Sequence, residues 1–445
     1  MKRLLFFILT IALSSQILAQ ESLLQSGPMV AYSSMKEVLL WVQTTEEAQV
    51  HFEYWDMKNP SLKYKTKAQT TIKDDAFIAH CIADELEPGI KYEYSVFVND
   101  QKIERSYRLQ FESQAIWKWR GDAPDFSFAT GSCAYISEEK SDRPGTPYGA
   151  DYQIFEDIYK KQPNFMLWLG DNIYLREPDW NSKTGIQYRN THSRSIPEMQ
   201  AMLGSMHHYS IIDDHDYGPN DSDRGFHMKK ETLKANKLFF PNPNYIFEEG
   251  HTGYFQWADC DFFLLDNRYW RTPNNRSDIE DHTILGEEQI QWLLDALSYS
   301  EASFKFVALG GQLLAPHPSW ERYTNIAPKE RLRIIEAIEK LKINGVIFIS
   351  GDVHYTELTK LDLKDGYPLY DLTVSPLTSG PNTNNAENPL RVEGTLYLDR
   401  NYSKINVSGS RNERALEINI YSSEGELQWT KEIKAKDLEF AKDHK

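Results

Sequence analysis

Short runs of apolar residues that end abruptly in glycine or an acidic residue recur along the second half of the chain. Residues 165–169 form one such run, and Gly170 and Asp171 follow it directly. Uninterrupted apolar runs of this length are typical of strands that are buried on both faces of a parallel sheet. We therefore predict a buried strand whose carboxyl end presents Asp171 and, three residues later, Tyr174.

The same pattern occurs at three more places in the chain. In each case an apolar run is followed by side chains that can bind a metal: residues 126–130 lead to Cys133, residues 208–212 to the acidic run 213–216, and residues 346–350 to Asp352 and His354. Ligands of open parallel sheets bind beyond the carboxyl ends of the strands. We expect these four strand ends to bring a thiol, a phenol, imidazoles and carboxylates together at a multinuclear metal site.

The remaining patterns predict the rest of the architecture. Residues 23–117 alternate apolar and polar positions, as in an antiparallel β-sandwich, and Tyr92 stands where fibronectin type III domains have a tyrosine corner. From residue 125 onward, apolar strands alternate with helical patterns, which indicates an α/β fold.

Two helices and two tail strands are predicted within this second part. One helix follows Gly286, and another begins near Pro328 with Ile334, Ile335, Ile338 and Leu341 facing inward. The tail predicts strands at residues 394–398 and 415–421. The polar, aromatic stretches 176–206 and 217–250 show neither the helical nor the strand spacing of apolar residues, so we interpret them as long loops that serve as lids.

Composition limits the functional classes. The 445 residues carry a formal charge of −16, which argues against nucleic-acid binding. Lys2 and Arg3 precede an apolar run at residues 4–13 that is too short to span a bilayer. We therefore predict that residues 1–19 are a secretory signal. No later segment is apolar enough to be a transmembrane helix. Cys81 and Cys260 could form a disulfide or remain as buried thiols.

Residue types refine the prediction of a metal site. The four consecutive ionisable residues 213–216 would repel one another strongly unless cations compensate them. The phenol of Tyr174 favours a hard trivalent ion such as Fe3+, although an N-capping Asp171 beside a packed tyrosine fits the same pair. Alternation along an extended segment would place Asp352 and His354 on the same side of the chain.

Taken in order, these motifs resemble the alkaline phosphatase D family, the PhoD-like metallophosphatases that are related to purple acid phosphatases. The resemblance rests on Cys133 in Gly-Ser-Cys, the Gly170-Asp171-x-x-Tyr174 motif, the acidic run 213–216, Asp266-x-Arg268, the segment 285–293 and the segment 351–354. Tyr188, Arg189, Arg194, Pro197 and Gln200 match that family's inserted segment. Ile212 and Asn267 depart from the family, which commonly has Trp and Thr at these positions.

The family implies a four-layer αββα fold for residues 125–445, which follow the sandwich of residues 23–117 in the sequence. It also implies that Cys133, Asp171 and Tyr174 hold Fe3+, with His354 or Asp352 completing the site. Asp171 would bridge to a second ion, Ca2+ or another hard divalent ion, held by Asp214 and Asp352. His215 would act as transition-state donor or general acid, and the phosphate oxygens would be contacted by Asn220, Arg268 and Gln312.

The sequence therefore predicts an exported, metal-dependent phosphatase that hydrolyses small-molecule phosphate monoesters by attack of a metal-bound water or hydroxide. Two alternatives remain open, a phosphodiesterase with the same metal site and a calcium-stabilised surface binding protein. A thiol and a phenol at one centre argue against the second alternative, since structural calcium prefers oxygen ligands. The natural substrate, the metals loaded and the oligomeric state are not specified by the sequence.

Overall fold

The computed structural model describes residues 23–278, 280–317, 321–364, 366–383 and 387–441. The predicted secretory signal of residues 1–19 lies outside the described residues. The chain divides into two compact units. Unit 1 comprises the described residues up to Ile116 together with Arg194–His207, and unit 2 comprises Trp117–Ser193 together with the described residues from His208 onward.

The strands and helices are numbered in chain order. The strands are β1 Leu24–Ser33, β2 Val38–Thr44, β3 Gln49–Asp56, β4 Tyr64–Lys65, β5 Gln69–Thr70, β6 Ile78–Ala83, β7 Lys91–Val98, β8 Gln101–Ile103, β9 Gln110–Glu112, β10 Phe126–Gly131, β11 Phe165–Leu169, β12 His207–Ile211, β13 Asn244–Tyr245, β14 Gly253–Trp257, β15 Cys260–Leu264, β16 Phe304–Ala308, β17 Val346–Ser350, β18 Glu357–Asp362, β19 Pro368–Thr373, β20 Asn401–Ser408, β21 Ala415–Ser422 and β22 Leu427–Lys434. The helices are α1 Gln153–Lys161, α2 Lys183–Arg194, α3 Pro197–Leu203, α4 Asp214–Tyr217, α5 Lys229–Phe239, α6 Glu287–Tyr299, α7 Tyr323–Ile326 and α8 Pro328–Lys340. Short 3-10 helices lie at Lys73–Asp75 and Ala435–Leu438.

Unit 1 is a β-sandwich, as its alternating pattern predicts. One sheet has the order β1-β2-β6 and the other the order β4-β3-β7-β8, with β5 paired to β3 and β9 paired to β7. Inward side chains of both sheets, such as Val30, Leu40, Phe52 and Tyr94, share one buried core. Tyr92 accepts a hydrogen bond from the backbone nitrogen of Glu87 at 2.8 Å, the contact expected of a tyrosine corner. The fibronectin type III identity of this unit stays a prediction.

Unit 2 confirms the predicted α/β fold class. It contains the strand sequence β22-β21-β20-β10-β11-β12 and a second sheet of order β13-β14-β15-β16-β17-β19-β18. Phe128 on β10 contacts Phe262 and Phe306 of the second sheet, each at a ring distance of 5.4 Å, so the two sheets pack face to face. Helices cover the outer faces, where Trp168 of β11 contacts Phe155 of α1 at 6.1 Å. The layers therefore run helix, sheet, sheet, helix.

The strand predictions around the site are confirmed with small shifts at the ends. All five residues of β11 are buried, and β10 pairs with β11 in parallel. In the second sheet β15, β16, β17 and β19 are also mutually parallel. The carboxyl ends of these strands therefore lie at one edge of each sheet.

The two predicted helices are confirmed as α6 and α8, but three other expectations are wrong. Leu341 is 52% exposed, because it follows the last residue of α8 and leaves the inward stripe. Residues 394–398 form no strand; only Tyr397 makes an isolated bridge, because Gly394 turns the chain with φ of 77°.

The third wrong expectation concerns the two long loops. Residues 176–206 contain α2 and α3, and residues 217–250 contain α5. The buried face of α2 includes the polar residues Arg189, Asn190 and Arg194. Apolar residues therefore do not recur along α2 at the spacing that would predict a helix from the sequence.

A buried histidine makes the stability of unit 1 depend on pH. His207 lies between the carbonyl of Ala31, 2.9 Å from Nδ1, and the backbone nitrogen of Glu112, 3.2 Å from Nε2. Burial lowers the pKa of His207 from 6.5 to about 4, so the folded chain favours the neutral ring. The unfolded chain binds the proton more readily, and stability is therefore complete above pH 6.5 and declines below it.

We expect the free energy of unfolding of unit 1 to fall by about 2 kcal/mol between pH 7 and pH 5 through this residue. Denaturant unfolding at the two pH values measures this change. His207→Gln retains one donor and one acceptor and should flatten the pH dependence. An equal pH dependence in both proteins would contradict the assignment to His207.

Candidate metal centre

The carboxyl ends of three strands bring a first group of metal-binding atoms together. Cys133 follows β10, Asp171 follows β11 and His354 follows β17, and one ligand atom of each lies within 4.8 Å of the other two. The thiol of Cys133 lies 3.6 Å from Oδ2 of Asp171. The hydroxyl of Tyr174 donates to the same oxygen at 3.2 Å and lies 3.3 Å from Nε2 of His354. The sequence predicts that these four residues, Cys133, Asp171, Tyr174 and His354, lie close together, and in the structure they do.

The orientation of His354 suits a ligand of this first group. Its Nδ1 lies 2.6 Å from the carbonyl oxygen of Gly380, which can only accept a hydrogen bond. Nδ1 therefore carries the proton, and the lone pair of Nε2 points toward Tyr174. The hydroxyl of Tyr148 also lies 3.0 Å from Nδ1.

A second group consists of carboxylates. Asp213, Asp214 and Asp352 each place an oxygen within 4.8 Å of the other two. Oδ2 of Asp213 and Oδ1 of Asp214 are buried and have no hydrogen-bond partner among the described residues. Buried charged oxygens that lack hydrogen bonds are costly, so this group favours the presence of a cation.

Asp171 lies close to residues of both groups. Besides its place in the first group, it forms a cluster with Asp214 and His215 whose ligand atoms also lie within 4.8 Å of one another. Its Oδ1 accepts a hydrogen bond from the backbone nitrogen of His215 at 3.3 Å. This position between the two groups is the one that a bridging carboxylate requires.

The backbone at the site adopts an unusual conformation. Cys133, Asp171, Asp352 and His354 all have positive φ, between 51° and 70°. Such left-handed conformations cost about 1–3 kcal/mol each for non-glycine residues and cluster at functional sites. Gly170 also has a positive φ of 87°, and a Cβ there would lie 2.7 Å from the Cβ of Asp213, so only glycine fits between the two strand ends.

The expectation that Asp352 and His354 share one side of an extended segment is wrong. Both residues are left-handed rather than extended, so the period-two alternation does not apply. As a result, His354 joins the group of Cys133, and Asp352 joins the group of Asp213 and Asp214.

Burial and mutual repulsion disfavour negative charge throughout the first group. Burial raises the pKa of Cys133 to about 12, and it raises the pKa of Tyr174 and Asp171 well above their ordinary values. Burial and the charge of Asp213 also raise the pKa of Asp352. Burial alone would raise the pKa of Asp214 as well, but His215 and Arg268 lower it.

The donor set fits metal ions. A thiol, a phenol, an imidazole and a carboxylate match a hard or borderline trivalent ion, and the all-oxygen group matches a hard divalent ion. Cations would also reverse the raised pKa values, because a nearby positive charge favours the ionised form of each ligand.

Comparisons with known proteins agree with this geometry. Residues 246–432 match the family model described as PhoD-like phosphatase. Alkaline phosphatase D of Bacillus subtilis (strain 168) is 24% identical over 339 residues, which cover 63% of this chain and 53% of that protein. The chain thus aligns with about half the length of this curated relative. A solved structure of PhoD superposes with a TM-score of 0.73 at 17% identity, covering 93% of this chain and 92% of the other.

The second part of the chain is thus similar to the PhoD-like phosphatase family. A purple acid phosphatase from yellow lupin (Lupinus luteus) seeds superposes on this chain with a TM-score of 0.69 at 12% identity, covering 93% of this chain and 76% of the other. These two likenesses to solved structures show the shared fold. Residues 21–116 match a second family model, a domain of unknown function (DUF7800).

The structure places the four residues predicted to contact the substrate in different surroundings. The ring of His215 packs against that of Tyr174 in a tilted arrangement, with ring centres 4.3 Å apart, and is partly exposed. Asn220 is exposed and directly precedes Asp221, whose backbone nitrogen donates to Asp214 at 2.7 Å. Gln312 is fully buried, and its amide nitrogen donates to Glu357 and Thr373.

Arg268 lies beside the second group but has other partners. Its guanidinium pairs with Asp213 and with Glu321, each at 2.5 Å, and lies 3.7 Å from Asp214. Burial opposes the charge of Arg268, but the charge of Asp213 and that of Glu321 raise its pKa. It thus neutralises part of the acidic group. A direct contact of Arg268 or Gln312 with phosphate stays a prediction.

Sequence reasoning missed several residues around the site. The sequence pointed to Asp213 only as part of the acidic run 213–216. In the structure it caps the N-terminus of α4 and belongs to the carboxylate group. Asp221 and Glu321 form a further cluster with Asp214, and neither lies in a recognisable motif. Asp216 accepts from the backbone nitrogens of Asp213, Asn172 and Ile173, so it fixes the loop after β11 rather than facing a ligand.

The other two cysteines of the chain are separate from the site. Cys81 and Cys260 are both free thiols and both buried, so the open question of a disulfide is answered by two reduced residues. Burial raises the pKa of Cys81 to about 12. Both residues therefore act as small apolar side chains in their strands.

Tyr174→Phe tests the phenol as a ligand. The substitution retains the ring that packs between Tyr135 and His215, at 4.8 Å and 4.3 Å, and removes only the donor oxygen. We expect metal affinity at the first group to fall by a factor on the order of 10–100. Elemental analysis after dialysis measures the retained metal. Tyr402→Phe is the control, since Tyr402 is buried and bonds Asp157 away from the site. Equal metal content in all three proteins would remove Tyr174 from the ligand set.

Proposed function

We propose that this chain is a metal-dependent phosphatase that hydrolyses small-molecule phosphate monoesters. The observation that carries the proposal is the convergence of a thiol, a phenol, an imidazole and four carboxylates on one place at the strand ends of unit 2. The match of residues 246–432 to the PhoD-like phosphatase family model and the likeness to alkaline phosphatase D support the same reaction class. The activity of the whole protein remains a proposal, since the alignment covers about half of that relative.

The two groups of ligands would hold different ions. Cys133, Asp171, Tyr174 and His354 would hold Fe3+, because a thiolate and a phenolate together suit a trivalent ion. Asp171, Asp214 and Asp352 would hold Ca2+ or another hard divalent ion, with Asp213 beside them. When bound, such ions supply Lewis acidity that neutralises phosphate oxygens and lowers the pKa of a coordinated water.

The chain's own side chains would position the ester and handle its proton. The ring of His215 lies against Tyr174 and its backbone nitrogen bonds Asp171, so a phosphoryl group at the metal-binding groups would face the imidazole. Burial lowers the pKa of His215, so the ring is neutral at alkaline pH and still carries one N–H. That N–H would donate to a phosphate oxygen or to the leaving oxygen of the ester.

Asn220, Arg268 and Gln312 complete the proposed substrate site. Asn220 is exposed beside Asp221 and is therefore accessible to a phosphate oxygen. Arg268 contributes positive charge close to the carboxylates. Gln312 would need to exchange its hydrogen bonds to Glu357 and Thr373 to reach a substrate.

Export is part of the proposal. The charged start and short apolar run of residues 1–19 support a secretory signal. No helix among the described residues is long and apolar enough to cross a membrane.

Asp171→Asn tests the reaction and the bridging role together. The substitution retains the size of the side chain and removes the charge shared by both ligand groups, so hydrolysis of an aryl phosphate should fall by a factor of about 1,000 or more. Asp157→Asn, on the outer helix α1, is the control and should retain the rate. Chelator should also abolish hydrolysis by the parent protein. An unchanged rate in Asp171→Asn, or faster hydrolysis of an aryl diester than of the monoester, would contradict the proposal.

His215→Gln separates proton handling from metal binding. The imidazole is not part of the Cys133 group, so the first ion should remain bound while kcat falls by a factor of about 100 to 10,000. Steady-state kinetics and elemental analysis of the same sample measure both quantities. A loss of metal in proportion to the loss of rate would make His215 a ligand rather than a donor.

A further inference from the structure

A buried arginine lies directly behind the first ligand group. Arg176 follows Tyr174 by two residues, and only 7% of its side chain is exposed. It is the first residue of the polar stretch 176–206, whose sequence predicts no role for it. Buried arginines are rare unless each nitrogen has a partner, so its contacts indicate what it does.

The three guanidinium nitrogens of Arg176 donate hydrogen bonds to three different residues. Nη1 donates to the carbonyl oxygen of Tyr174. Nη2 donates to the carbonyl oxygen of Ile136 at 2.7 Å, and Nε donates to Asp142 at 3.0 Å. Ile136 lies three residues after Cys133, so a single planar group joins the segment that follows β10 to the segment that follows β11.

The same guanidinium also supports the ring of Tyr174. It lies 4.0 Å from the ring centre of Tyr135, and the Tyr135 ring packs against the Tyr174 ring at 4.8 Å. The hydroxyl of Tyr135 donates to Asp142 at 2.8 Å, which closes the arrangement. Both the backbone and the ring of Tyr174 are therefore held through Arg176.

Arg189 strengthens the connection between these segments. Its Nε donates to Asp179 at 2.8 Å and its Nη2 to Glu138 at 2.7 Å. Asp179 in turn accepts from the backbone nitrogen of Arg176 at 2.9 Å. Two arginines thus connect residues 135–142 with residues 174–189 through buried or nearly buried ion pairs.

We propose that Arg176 is a positioning residue that holds the thiol of Cys133 and the phenol of Tyr174 close enough to bind one ion. The need for such a residue is physical, because Cys133 and Asp171 have left-handed backbones whose cost other contacts must offset. A lysine would replace it only in part, because a single ammonium cannot match the planar, three-way geometry. The identity of the shared ion rests on the proposed function, but the positioning itself does not.

The reactivity of Cys133 reports this positioning without any metal. In chelator-treated protein, alkylation of each cysteine is followed by mass spectrometry, and buried Cys81 and Cys260 serve as internal controls. We expect Arg176→Gln to raise the alkylation rate of Cys133 by about tenfold or more, because its segment opens locally, and to leave the other two rates unchanged. Arg176→Lys should give an intermediate rate.

Arg414→Gln is the matched control for losing a buried arginine. Arg414 is 1% exposed and makes a similar set of bonds, to Asp259, Asp125 and the carbonyls of Pro124 and Gly409. It should leave the rate of Cys133 unchanged. A parent-like Cys133 rate in Arg176→Gln, a parallel rise of all three cysteines, or an equal rise in Arg414→Gln would overturn the proposal.

Metal binding provides the second measurement. In iron-loaded protein, Arg176→Gln should weaken iron binding by a factor on the order of 10–100 and shift the visible absorption of the tyrosinate–iron pair. If the parent protein binds no metal at this site, the proposed function fails, while the alkylation rates still decide the role of Arg176.

Discussion

Four buried or partly buried carboxylates, Asp171, Asp213, Asp214 and Asp352, lie close enough together to repel one another strongly. Two like charges 4 Å apart at an effective dielectric constant of about 20 repel by about 4 kcal/mol. Arg268 offsets part of this repulsion, but it is shared with Glu321. The repulsion between ionised carboxylates and the two carboxylate oxygens without a hydrogen bond explain why the site favours cations, and the proposed chemistry follows from that need.

The two facing sheets of unit 2 provide the rigid frame that this repulsion requires. Aromatic packing between β10, β11 and the second sheet fixes the strands, and the loops beyond them are hydrogen-bonded to each other. The backbone nitrogen of Cys133 donates to the carbonyl of Gly170 at 3.2 Å, and that of Ala134 donates to the carbonyl of Asp171 at 2.8 Å. The left-handed ligand residues are therefore held by contacts to the frame as well as by any bound ion.

Much of this frame could be predicted from the sequence, because apolar runs that end in glycine or acidic residues give both the strands and the ligands that follow them. The division of ligands between the two groups could not, since the left-handed backbones of Asp352 and His354 break the alternation on which that prediction rests. Helix α2 was missed because its buried face is polar, and the role of Arg176 depends on contacts with residues more than thirty positions away. Glu321 lies in no motif that would reveal its place beside Asp214.

The most direct test of the central claim is the anomalous diffraction of a crystal of the protein purified without chelator. The account predicts one anomalous peak within bonding distance of the Cys133 sulfur, the Tyr174 oxygen and the His354 Nε2 nitrogen, and a second ion between Asp171, Asp214 and Asp352. A well-ordered site with these side chains hydrogen-bonded to one another, and with no ion between them after metal loading, would contradict it.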